Sequence, residues 1–174
     1  MSARGGVLVA GIGNLFLGDD GFGVEVLRRL DPARLPDGVR AADYGIRGVH
    51  LAYELLDGTV DTLVMVDAVP LDGPPGTLAV LEVGPDDLGD DDGAAVDAHG
   101  LHPLAVLLLL RRLGGSVGRV FVVGCRPESL EEGMGLSATV EAAVDGAVRL
   151  VEELVEDLAR TGRARTEREE PADA

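Results

Sequence analysis

The chain of 174 residues reads as a single α/β domain, a three-layer, doubly wound structure in which a twisted, mostly parallel sheet carries helices on both faces. Two observations predict this class. Short aliphatic and β-branched runs alternate along the chain with longer segments whose apolar residues recur at helical spacing. The runs at 62–66 and 120–123 are apolar at nearly every position rather than every second one, as strands covered on both faces must be. The length and an apolar content of 46% suffice for one well-packed core and leave no room for a second domain.

Taken in order, residues 7–10 form the first strand, ended by Gly11, and after a glycine-rich loop 22–30 form a helix. Residues 39–42 make a weaker second strand, followed by a loop over 43–48 punctuated by Gly45 and Gly48, and a helix over about 49–56. The third strand, 62–66, ends at Asp67. Beyond the turn Gly73-Pro74-Pro75-Gly76 a further strand spans 77–83, and an acidic, glycine-rich loop then runs to His99. Pro103 suits the first turn of a helix reaching Leu113, because the amide it lacks would be unpaired there anyway. Residues 120–123 are a further buried strand, and a helix from about Ser137 through Val155 to Ala159 closes the domain at 1–160. Residues 163–174 lack apolar side chains larger than alanine, so 161–174 is expected to be a disordered acidic tail.

The formal charge of -16, from 31 acidic against 15 basic residues, would repel phosphates and argues against nucleic acid or an anionic membrane as partner. Partners should be neutral, basic or metal-bearing. The stretch 86–92 and the tail hold part of this charge, where it serves solubility. The only cysteine, Cys125, allows no internal disulfide and no four-cysteine zinc site. The longest apolar run, 104–110, is far below the ~20 residues of a membrane span, and the N-terminus leads into an apolar stretch too short for a signal peptide. A cytoplasmic monomer is the expectation.

In sheets of this kind functional groups collect where the strands' carboxyl ends emit their loops. The first loop begins Gly11-Ile12-Gly13 like a dinucleotide fingerprint, but Phe16 stands where the third glycine belongs. Two carboxylates, Asp19 and Asp20, then open the helix where a bound phosphate would otherwise sit. One of them can cap that helix, which leaves the other for a different task. Asp67 arrives at the same edge from the third strand, and His99 from the loop before the next helix. Asp20, Asp67 and His99 therefore form a candidate metal site, two carboxylates and an imidazole that suit nickel or zinc and leave coordination positions open. The metal can be resident or presented by another molecule, and spacing alone does not choose between them.

Other motifs carry less. Gly114-Gly115-Ser116-Val117-Gly118 fits the nucleophile-elbow pattern but follows a helix and precedes a strand, the reverse of what the elbow requires. Cys125 reads as a small buried core residue, His102 as a helix-surface neighbour of His99, and His50 has no companion.

The loop 11–14 with Asp19-Asp20-Gly21-Phe22-Gly23, the strand end Val66-Asp67-Ala68, His99 before an apolar helix, and Pro127-Glu128-Ser129-Leu130 before Gly135-Leu136-Ser137 together resemble the hydrogenase maturation endopeptidases. The resemblance covers about 7–158. It implies a peptidase that recognises the nickel-loaded precursor of a nickel-iron hydrogenase large subunit and removes its C-terminal extension, the nickel being presented by the substrate. Matched motif to motif, Asp20 and Asp67 are the carboxylate ligands and His99 the imidazole ligand, and Asp43 resembles a further acidic position implicated in processing. The second loop has Tyr44 and Ile46 where glycine and threonine are commoner, which is expected to alter what the loop contacts and hence partner choice. The alternative is a non-enzymatic, nickel-dependent chaperone of the same precursor, and a nucleotide-binding regulatory domain is a third reading carried only by the Gly11-x-Gly13 start.

Overall fold

The computed structural model describes residues 5–88 and 103–169, with side chains described as far as Gly162. The strands are β1 (Gly6–Ile12), β2 (Val39–Gly45), β3 (Val60–Ala68), β4 (Leu78–Val83) and β5 (Arg119–Cys125), and the helices are α1 (Phe22–Arg29), α2 (Gly48–Leu55), α3 (Pro103–Arg112) and α4 (Ala138–Glu169). The strand order is β2-β1-β3-β5-β4, parallel throughout except for β4, which lies antiparallel on the edge beside β5.

Successive strand residues point to opposite faces, so one apolar run feeds two cores. Leu8, Ala10, Ile12, Leu63, Met65 and Val122 face α2 and α3, where Leu51, Leu55, Val106 and Leu110 meet them. Val9, Val64, Val66, Phe121 and Val123 face α1 and α4, against Phe22, Val26, Val144 and Val151. This is the expected three-layer arrangement. The loops after β1, β2, β3 and β5 consequently leave from one edge of the sheet.

β1, β3 and β5 each run one or two residues past the expected limits at both ends, and three further boundaries differ. β2 runs on to Gly45, so Asp43 is a strand residue paired with Gly11, because the parallel register with β1 extends past the apolar stretch. β4 begins at Leu78 and turns back against β5, a direction that an apolar run does not encode. α4 continues to Glu169, ten residues past Ala159, so the segment expected to be disordered is helical that far. A composition without large apolar residues argues against packing, not against helix, and arginine, alanine and glutamate are strong helix formers. The segment 114–118 joins α3 to β5, helix before strand, as anticipated. Among the described residues no helix is long and apolar enough to cross a membrane.

Candidate active site

The first loop is folded back on itself, and glycine makes this possible. Gly13 has φ 139°, and a Cβ there would lie 1.9 Å from the Asp20 carbonyl oxygen. Its amide donates to the Gly45 carbonyl at 2.9 Å, tying the β1 loop to the end of β2. The Asn14 side chain accepts from the Phe16 amide at 2.9 Å, and the Asn14 amide donates to Asp20 Oδ2 at 2.8 Å. The loop closes through a single 3-10 turn, Gly18–Gly21, into α1.

Neither aspartate caps α1, whose N-terminal cap is Gly21 with no side-chain hydrogen bond. Asp19 is fully buried and turns the other way. Its Oδ2 accepts from the Glu128 and Ser129 amides at 2.8 and 3.0 Å and from the Ser137 hydroxyl at 2.9 Å, while Oδ1 accepts from the Ser137 amide at 2.7 Å. Burial alone would push this carboxyl up, but those donors outweigh it and hold Asp19 below the usual carboxylate range. Ser137 in turn accepts from the Val140 amide at 3.4 Å, so the same network caps α4. The sequence pairs Asp19 with Asp20 but gives no sign that its partners lie more than a hundred residues away.

Asp20 and Asp67 meet at one cleft. Asp67 is 3% exposed at the end of β3, with Oδ1 accepting from the Ala68 amide at 2.8 Å. Burial first, and then the neighbouring negative charge of Asp20, push its carboxyl well above the ordinary value. Asp20 is raised too, by burial, with the Asn14 amide opposing. A buried carboxylate pushed up further by a second one beside it is a place where a cation would bring relief. The cleft has a volume of about 1000 Å³. Besides Asp20 and Asp67, its lining includes the acidic Glu82 and Asp87 and the apolar Leu17, Ile46, Val69, Leu104 and Leu130, so the two aspartates sit in a largely apolar trough.

The remaining sequence candidates fall elsewhere. Asp43 is exposed and absent from the cleft lining; its carboxylate accepts from the Gly45 amide at 2.8 Å and shapes the turn that presents Ile46. His99 and His102 lie outside the described residues, and among the described residues no group of three metal-ligating side chains is assembled. Tyr44, expected to change the contacts of its loop, is instead a β2 residue whose side chain is buried in the core. Its phenol donates to Glu54 and is pushed up to about 12 by burial and by that carboxylate. Of the two unusual loop residues only Ile46 is exposed. Cys125 is buried, its thiol pushed up to about 11 by burial and the Asp19 charge, which makes it inert as a nucleophile.

Comparison with known proteins identifies the family. The profile of the HycI family, described as hydrogenase maturation protease, matches residues 24–154. The hydrogenase 2 maturation protease of Escherichia coli is 34% identical over 152 residues, covering 83% of this chain and 87% of that protein. Among solved structures, the hydrogenase maturating endopeptidase HybD of Escherichia coli superimposes with a TM-score of 0.69 at 32% identity, covering 87% of this chain and 93% of that one. A hydrogenase 2 maturation peptidase from a Thaumarchaeota archaeon gives 0.64 at 36% identity, covering 86% and 97%. The chain belongs to the hydrogenase maturation proteases, the peptidases that process the C-terminus of the nickel-iron hydrogenase large subunit.

Proposed function

We propose that this protease recognises the nickel-loaded precursor of a hydrogenase large subunit and that Asp20 and Asp67, completed by His99, take hold of the nickel the precursor presents. The observation that carries this reading is the pair of carboxylates lining one largely apolar cleft, Asp67 buried and Asp20 half-buried, each raised by its surroundings. A divalent ion would relieve such a pair, so a nickel-bearing precursor has an anchor that a nickel-free one lacks.

The backbone does the orienting. One oxygen of each carboxylate is held by a main-chain amide, that of Asn14 for Asp20 and that of Ala68 for Asp67, so both are set before substrate arrives. With the nickel anchored, the C-terminal segment of the precursor lies along the apolar trough, and positioning of this kind can lower a barrier by several kcal/mol. Water is the nucleophile, since Cys125 is buried and protonated. Asp43 acts through the turn it orders, which places Ile46 on the cleft wall. Both carboxylates come from one copy of the chain, so a monomer suffices, and an acidic chain with one cysteine suits the cytoplasm.

The test is intact-mass analysis of nickel-loaded precursor incubated with the protein, alongside nickel-free precursor and the Asp20→Asn variant. Loss of a C-terminal peptide is expected only with nickel and only with the unaltered protein. A stable complex whose precursor mass never changes would replace the peptidase by a chaperone.

A further inference from the structure

Among the described residues, five large apolar side chains are more than half exposed: Met134 at 69%, Phe16 at 68%, Ile46 at 67%, Tyr53 at 57% and Leu130 at 51%. Four of them stand on the loops that follow β1, β2 and β5, the same sheet edge that bears the acidic cleft. Isolated surface apolar residues need no explanation, but a cluster around a site marks a surface that another molecule covers. Ile46 and Leu130 line the cleft itself, so the apolar rim is continuous with its interior.

The rim is also built to hold its shape. The Gly133 amide donates to the Phe16 carbonyl at 2.8 Å, the Gly18 amide to the Gly133 carbonyl at 2.9 Å, and the Asp19 amide to the Ser129 carbonyl at 3.0 Å. Below them the Asp19 carboxylate grips Glu128, Ser129 and Ser137. The loop bearing Phe16 and the loop bearing Leu130 and Met134 are thus joined as one platform, and a pre-ordered surface loses little entropy on binding. Glu128, Glu131 and Glu132 stand exposed on the loop that bears Leu130 and Met134 and put negative charge beside them.

We infer that Phe16, Leu130, Met134 and Ile46 form the docking surface for the folded body of the precursor, against an apolar patch of that protein ringed by basic residues. This rests on the peptidase reading, because a protein that delivers its tail to Asp20 and Asp67 must approach across this rim. Docking energy there serves binding and not the chemical step, so its loss should appear in KM.

The experiment compares the unaltered protein with Phe16→Ser/Met134→Ser and with Tyr53→Ser, another exposed large apolar residue, on α2 and outside the cleft lining. Cleavage of nickel-loaded precursor is followed by mass, and equilibrium binding of nickel-free precursor by interferometry. The double variant is expected to raise KM about tenfold with kcat nearly unchanged and to weaken binding of nickel-free precursor by a similar factor, with Tyr53→Ser resembling the unaltered protein. Glu131→Lys/Glu132→Lys should weaken the same binding. Unchanged KM and binding in the rim variant overturn the inference. So does sedimentation showing that the unaltered chain is a dimer and the double variant a monomer, because a second copy then covers the rim. Rim-dependent binding without any mass loss would uphold the docking surface and sink the peptidase reading instead. A chain that neither binds nor cleaves the precursor overturns both.

Discussion

At the residue scale the two adjacent aspartates part company, one buried in a hydrogen-bond network and the other facing the cleft. Asp19 has no exposed surface and four donors directed at it, so it is an ionised group fully paid in hydrogen bonds. Asp20 has one main-chain donor and faces the cleft. Asp19→Asn turns one oxygen into an N–H group that must oppose an amide or hydroxyl donor, and we expect a loss of about 3 kcal/mol in urea denaturation at neutral pH. Because the folded value of Asp19 lies below its unfolded one, its contribution is present above the unfolded pKa and fades as pH falls through the folded value. The difference between variant and unaltered protein should therefore shrink in acid. A loss below 1 kcal/mol would mean that the two loops hold together without it. Residue type and neighbourhood marked this pair as special in the sequence, but a partner 118 residues distant from Asp19 is a product of the fold alone.

At the scale of elements, hydrophobic periodicity made β1, β3, β5 and all four helices legible, because burial of a strand or a helix face writes itself directly into residue spacing. Direction and length were less so. An edge strand such as β4 has the same apolar run whether parallel or antiparallel, and the last part of α4 is helical by propensity without apolar residues to announce it. One glycine joins α1 to the sheet. A Cβ on Gly23 would lie 2.0 Å from the Val66 carbonyl oxygen and 2.4 Å from that of Ile12, so only glycine lets the helix start sit on the ends of β1 and β3. Gly23→Ala should lower stability by about 3 kcal/mol, the upper end for overpacking, and should lower peptidase activity as well, since the helix start carries Asp20 at its approach. Thermal melting beside the cleavage assay checks both, and an unchanged melting temperature would show that the helix can shift at no cost.

For the whole molecule, convergence of loops at one sheet edge was readable, and the structure brings Asp20 and Asp67 to one cleft; the apolar rim was not readable, because exposure cannot be told from an apolar letter. Placing Asp67 at the end of a strand buried on both faces costs stability whenever it is ionised. Its folded pKa is raised, so the protein is favoured below the unfolded value of about 3.9 and that advantage is lost as pH rises through the folded value. Asp67→Asn, which keeps an acceptor for the Ala68 amide, should therefore melt at a higher temperature than the unaltered chain at neutral pH, with the gap closing in acid. Binding runs the opposite way. On the proposed reading a nickel-bearing precursor needs the carboxylates ionised and must release the proton that burial favours, so its KM should fall as pH rises through the same window. In Asp67→Asn that dependence should flatten and cleavage should be lost or severely reduced. A KM that is flat in the unaltered protein, or a variant that cleaves normally, would mean that Asp67 does not take the metal and that its buried charge serves something other than the precursor.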